Sequence, residues 1–131
     1  MDILLSEVKE VAQNLALNLK GGEVIALNGQ LGSGKTTFTQ HLGKALGVVS
    51  QITSPTFVLM QEYPVSKHPT IKWLYHLDLY RLSDFTELKA LDIEQIWQQP
   101  QTITIIEWAD KFAEHLPTNT LTYNLKRDEE I

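Results

Sequence analysis

The sequence predicts an α/β fold: a mixed, mainly parallel central sheet with helices on both faces and one antiparallel hairpin. Three observations carry that prediction. Short apolar, β-branched runs alternate with amphipathic helical runs, which is the pattern of strands covered by crossover helices. The run "EVIAL" (23–27) passes through a glycine-rich loop straight into a helix. Finally, "FVLMQEY" (57–63) and "IKWLYHL" (71–77) are separated only by the Pro- and His-containing connection 64–70, the spacing of a hairpin.

The elements follow in order. Residues 6 to 20 start with Ser6 as an expected N-cap and place Val8, Val11, Ala12, Leu15 and Leu19 at helical spacing before Gly21-Gly22. "EVIAL" is short and apolar throughout, hence a buried strand. From Lys35, the residues Phe38, Leu42 and Leu46 recur every four positions, and Gly47 suits a left-handed C-cap. After the hairpin, Asp84 and Glu87 have capping-box spacing and open a helix to about Trp97, which Pro100 terminates. "TITIIEW" (102–108) is a buried strand, a short helix runs to Leu116, and "TLTYNLK" (120–126) alternates as a half-buried strand. The tail "RDEEI" is expected to fray.

With 131 residues and 43% hydrophobic content the chain suits one domain, residues 1–131, with one core. No apolar run reaches the ~18 to 20 residues of a membrane span, and Met1-Asp2-Ile3 lacks the start of a secretory leader. The absence of cysteine excludes disulfides and thiolate metal sites. A soluble, cytoplasmic protein without membrane attachment is the expectation. A net charge of -5 argues against a broad grip on nucleic acid, which needs Lys and Arg to neutralise phosphates, so any RNA contact is local or made through a partner.

The loop "NGQLGSGKTTF" (28–38) contains Gly29, Gly34, Lys35 and Thr36 in the pattern G-x-x-x-x-G-K-[ST]. Its glycines let consecutive backbone N–H groups approach phosphate oxygens, and the following helix adds its positive end. Gly29, Gln30, Leu31, Gly32, Ser33, Gly34, Lys35, Thr36 and Thr37 are therefore the expected cradle for the phosphates of ATP. Lys35 supplies a point charge to the β- and γ-phosphates, and the Thr36 hydroxyl ligates magnesium.

Phosphoryl transfer also needs a second metal ligand and a group that orients water. Asp78 and Glu107 stand where apolar strands end, the edge at which ligands bind in open α/β sheets, so both are candidates for metal binding and catalysis. Spacing does not say which holds metal and which aligns water. In "SPTF" (54–57), Pro55 stiffens the turn that presents Thr56, a candidate switch-like ligand to magnesium or the γ-phosphate. Trp108, beside Glu107, is either core or a wall of the nucleotide site. His76 precedes Asp78 by two positions on the same strand face, but His41, His68 and His115 show no ligand spacing with it, so a structural role is the better reading.

"GQLGSGKTTF", "SPTF", "HLDLYRL" and "IIEW", in this order, resemble the TsaE (YjeE) family of small bacterial P-loop ATPases over roughly residues 5 to 125. The resemblance implies a P-loop NTPase-like three-layer fold and an ATPase, using ATP and Mg, needed for threonylcarbamoyladenosine formation at position 37 of tRNAs that read codons starting with A. It implies TsaD and TsaB as partners, with TsaD carrying the transfer chemistry and ATP hydrolysis resetting the complex. The tRNA is then met indirectly. By motif match, Lys35 and Thr36 bind phosphate and magnesium, Thr56 is switch-like, Asp78 is the metal-side acid, and Glu107 is the hydrolytic acid beside Trp108. The family often carries an acidic residue where this chain has Gln30, and tends to continue past the last strand here. Against this stand a small-molecule kinase, although only Arg81 and Arg127 are available to clamp a second substrate, and an ATP-gated assembly module with little hydrolysis. A GTPase is disfavoured because no N-K-x-D sequence is present.

Overall fold

The computed structural model describes residues 1–30, 34–53 and 59–128. Six strands form one sheet: β1 (Asp2–Leu4), β2 (Val24–Asn28), β3 (Met60–Pro64), β4 (Trp73–Asp78), β5 (Thr102–Glu107) and β6 (Leu121–Lys126), in the order β1-β6-β2-β5-β4-β3. All neighbouring pairs are parallel except β3 with β4. The expected α/β architecture and the antiparallel hairpin are therefore present.

The helices divide between the faces. α1 (Val8–Asn18) and α2 (Lys35–Leu46) cover one face, where Ala12, Phe38 and Leu42 pack with Ile25, Leu27, Leu74, Ile103 and Ile105. The short helices α3 (Thr86–Lys89) and α4 (Ile93–Trp97), with the 3-10 segment Ala109–His115, cover the other, where Leu88, Ile93, Trp97 and Phe112 meet Val24, Ala26, Leu77 and Ile106. Every residue of β5 is buried, because helices lie on both faces and neighbouring strands on both edges.

Several local expectations are corrected. Ser6 is not an N-cap: it lies inside a 3-10 turn (Leu5–Glu7) that precedes α1, and the Glu7 carboxylate accepts from Leu4 N–H there. The helix expected over 84–97 is two helices, separated by Asp92 in the left-handed conformation (φ 54°). Leu88 and Ile93 are five positions apart, a spacing that points them in different directions on one continuous helix, and the break lets both enter the core. The capping box shifts as well, since Asp84 Oδ1 accepts from Thr86 N–H while Glu87 accepts from Ser83 N–H. β5 stops at Glu107, and Trp108 turns away with φ 61°. β1, absent from the sequence reading, is too short for periodicity to reveal; it pairs with β6 and closes that edge.

Candidate functional site

The carboxyl ends of β2, β5 and β4 lie side by side, and register fixes what they present. Leu27 of β2 is opposite Glu107 of β5, and Glu107 is opposite Asp78 of β4. Alternation along the strands directs His76, Asp78 and Glu107 to the sheet face that α2 covers. Glu107 is 3% exposed and Asp78 4% exposed, so two carboxylates are held buried side by side at the strand ends. Asp78 Oδ1 accepts from Tyr80 N–H at 2.9 Å. The chain beyond β4 is pinned by Lys111, whose ammonium donates to the carbonyls of Leu79, Tyr80 and Leu82.

The glycine loop leaves β2 and enters α2 through Gly34, which takes φ 102°; a Cβ there would lie 2.6 Å from Leu5 Cδ1. Phe38 N–H is bonded to Gly34 O, so the N–H groups of Lys35, Thr36 and Thr37 come too early in α2 to have an intrahelical acceptor. They face outward from the positive end of a twelve-residue helix. Thr37 is exposed on this first turn and Gln30 on the other limb of the loop.

Lys35 folds back over the loop. Its Nζ donates to Gly29 O at 2.6 Å and Gln30 O at 3.1 Å and stands 4.3 Å from the centre of the Trp108 ring, while the residue is only 5% exposed. Burial pushes the ammonium below its ordinary pKa range, and Glu107, Asp78 and Asp110 push it back up. The site therefore holds a cation in tension: desolvated, yet bonded to two carbonyls and within electrostatic reach of three carboxylates. Thr36 Oγ1 approaches Glu107 Oε2 at 3.4 Å, joining the helix start to the end of β5. Trp108 is both wall and core: its ring stands beside Lys35 and it packs, partly buried, against the core of the α3–α4 face, and Tyr80 lies against it at 5.0 Å between ring centres.

The structure accordingly brings Gly29, Gln30, Gly34, Lys35, Thr36, Asp78, Glu107 and Trp108 together. Leu31, Gly32 and Ser33, and Thr56 within "SPTF", lie outside the described residues. Sequence reasoning missed Tyr80 and Asp110. Tyr80 stood in plain view inside "HLDLYRL", but only the turn after β4 shows that its backbone caps Asp78. Asp110 comes near Lys35 because its N–H bonds Asn28 Oδ1 at 3.0 Å, a contact across 82 positions.

Among the described residues no group of three or more His, Cys, Asp or Glu side chains forms a metal site by itself. One or two carboxylates with a hydroxyl suit magnesium, which keeps several waters and takes substrate phosphates as further ligands. Thr36, Asp78 and Glu107 fit that requirement. None of the described helices is long and apolar enough to cross a membrane.

A family model described as "Threonylcarbamoyl adenosine biosynthesis protein TsaE" matches residues 4–131. The chain belongs to the TsaE family. Curated proteins named "tRNA threonylcarbamoyladenosine biosynthesis protein TsaE" resemble it closely. The one from Aquifex aeolicus is 50% identical over 104 residues, covering 78% of this chain and 69% of the relative. The one from Bacillus subtilis is 38% identical over 121 residues, covering 92% and 72%. The one from Synechocystis is 42% identical over 113 residues, covering 84% and 69%. Among solved structures, Bacillus subtilis YdiB superposes with a TM-score of 0.62 at 32% identity, covering 92% of this chain and 70% of that one. The TsaE family model spans both the glycine loop and the strand ends that carry Asp78 and Glu107, so the two halves of the site fall within one family match.

Proposed function

We propose that this chain binds ATP with magnesium on residues 29–37 and hydrolyses it as the ATPase subunit of tRNA threonylcarbamoyladenosine modification. One observation carries the reading: a buried lysine tethered to loop carbonyls faces two buried carboxylates on adjacent strand ends. A cation so placed can exchange bonds to neutral carbonyls for bonds to phosphate, in which both partners are charged. The acids lie on the β5–β4 side of the loop, so the terminal phosphate points there. On the opposite, β6 side, Asn28, Gln30, Asn124 and Lys126 line a pocket suited to the nucleoside. Thr36 and Asp78 are assigned to magnesium, Glu107 to the attacking water, and Thr56 to a switch-like contact with the terminal phosphate. Magnesium bound there would neutralise charge that develops on the phosphates.

The partners are TsaD and TsaB, and tRNA is reached through that complex, in keeping with the chain's net charge of -5. Among the described residues few cations are available to the transferring phosphoryl group, Lys35 first and Arg81 after β4 as a second candidate, and stabilisation of such charge is commonly the largest catalytic contribution. Hydrolysis by the isolated chain is therefore slow and accelerates in the complex. Steady-state ATP hydrolysis with and without TsaD and TsaB, using Lys35→Ala as the blank, tests this. A rate that rises only with the partners supports the proposal. A rate indifferent to them removes the partner assignment and favours a small-molecule kinase.

A further inference from the structure

His76 is fully buried, 0% exposed, in β4, which lies between β5 and the edge strand β3. Its Nε2 meets Glu107 Oε2, 31 positions away in sequence. With Glu107 as the carboxylate, which only accepts, this contact requires the tautomer in which Nε2–H donates. The opposite ring nitrogen, Nδ1, is buried with no hydrogen-bond partner among the described residues. A half-satisfied buried imidazole costs stability, typically about 1–3 kcal/mol for an unmade bond, so its presence calls for a reason other than packing.

Register supplies the reason. His76 lies opposite Ile105, whereas Glu107 lies opposite Asp78. His76 and Glu107 are therefore diagonal neighbours on one sheet face, and their side chains meet across that diagonal. Thr36 Oγ1 approaches the same oxygen from the α2 side at 3.4 Å. Two groups from different elements converge on Oε2, which fixes the rotation of the carboxylate.

We propose that His76 is a positioning residue, whose Nε2–H holds Glu107 in the orientation that hydrolysis requires. This rests on the reading of Glu107 as the group that orients water. His76 touches neither nucleotide nor metal in this role and acts only through Glu107.

The test compares His76→Leu, which keeps bulk without a donor, with His76→Gln, whose amide nitrogen reaches the place of Nε2, each alone and combined with Glu107→Gln. Hydrolysis is measured in the complex and nucleotide affinity on the same preparations. His76→Leu is expected to lower kcat by about 10–100-fold, the usual effect of losing an orienting partner, while ATP affinity is retained because His76 does not touch the nucleotide. His76→Gln should recover part of the loss, and His76→Leu should add nothing to Glu107→Gln. A parallel loss of affinity, no recovery by Gln, or additive losses in the double variant would overturn the role.

Proton–nitrogen NMR of the histidine side chains supplies an arm independent of hydrolysis and of whether His76→Leu folds. A slowly exchanging Nε2–H that shifts in Glu107→Gln is expected, and its absence overturns the pairing. No hydrolysis by the unaltered protein under any condition would defeat the functional reading and this role together, and the N–H signal would then show that the pair itself survives.

Discussion

Lys35 gathers the opposing forces of the site on one side chain. Its desolvation favours loss of the proton, while Glu107, Asp78 and Asp110 favour retaining it, and the net result is a pKa below the ordinary 10.5. The unfolded chain therefore binds more protons than the folded one in the window between that depressed value and 10.5, so this residue makes the free fold more stable as pH rises through it. Bound polyphosphate has the opposite preference, because it favours the charged ammonium. ATP affinity should accordingly begin to fall at a pH below 10.5, measured by calorimetry on a pH series, and affinity unchanged up to 10.5 would contradict the contact. Trp108 and Leu59 add a second residue-scale feature: both take positive φ beside the strand ends, a conformation that costs about 1–3 kcal/mol each where structure enforces it. Trp108 N–H bonds Leu27 O, and Leu59 O accepts from Asp78 N–H, so these bonds hold the acids' strands in place. The glycine-lysine pattern was legible in sequence because it is local. The His76–Glu107 pair was not, because it depends on register between strands 31 positions apart.

The elements show where glycine is obligatory. Gly47 ends α2 with φ 107°, and a Cβ there would lie 2.1 Å from Ser66 O, so conformation and close approach both exclude a side chain. Ser66 N–H and Oγ also donate to Gly47 O, tying the end of α2 to the chain after β3. Gly47→Ala should destabilise by at least about 2 kcal/mol by chemical denaturation, the scale of combined backbone strain and overpacking, and an unchanged midpoint would refute this reading of the turn. This C-cap was legible in the sequence, since a glycine after a periodic helix signals one. The break at Asp92 was not, because no Gly or Pro marks it; the demand that Leu88 and Ile93 share one core imposes it. β1 escaped for a different reason: three residues cannot show a period, and only pairing with β6 defines them.

For the whole molecule, strand order turns separate motifs into one site. Sequence identifies the strands and their terminal acids but not that β5 lies between β2 and β4. That order places Glu107 nearer the loop than Asp78 and explains why Thr36 meets Glu107. It also leaves Asp2, Asn28, Asn124 and Lys126 on the loop's other side, a composition that sequence spacing hides because these residues come from three strands. Membership of the TsaE family supplies the pathway, threonylcarbamoyladenosine biosynthesis, which no residue of the site reveals on its own. The central claim is that the loop holds the phosphates of ATP through Lys35. Calorimetric titration of the chain with ATP and magnesium, alongside Lys35→Ala, tests it most directly. Saturable binding that weakens at least about tenfold in the variant, the order expected for losing a buried charge-assisted bond, is the predicted result. Equal affinity in both proteins would contradict the assignment.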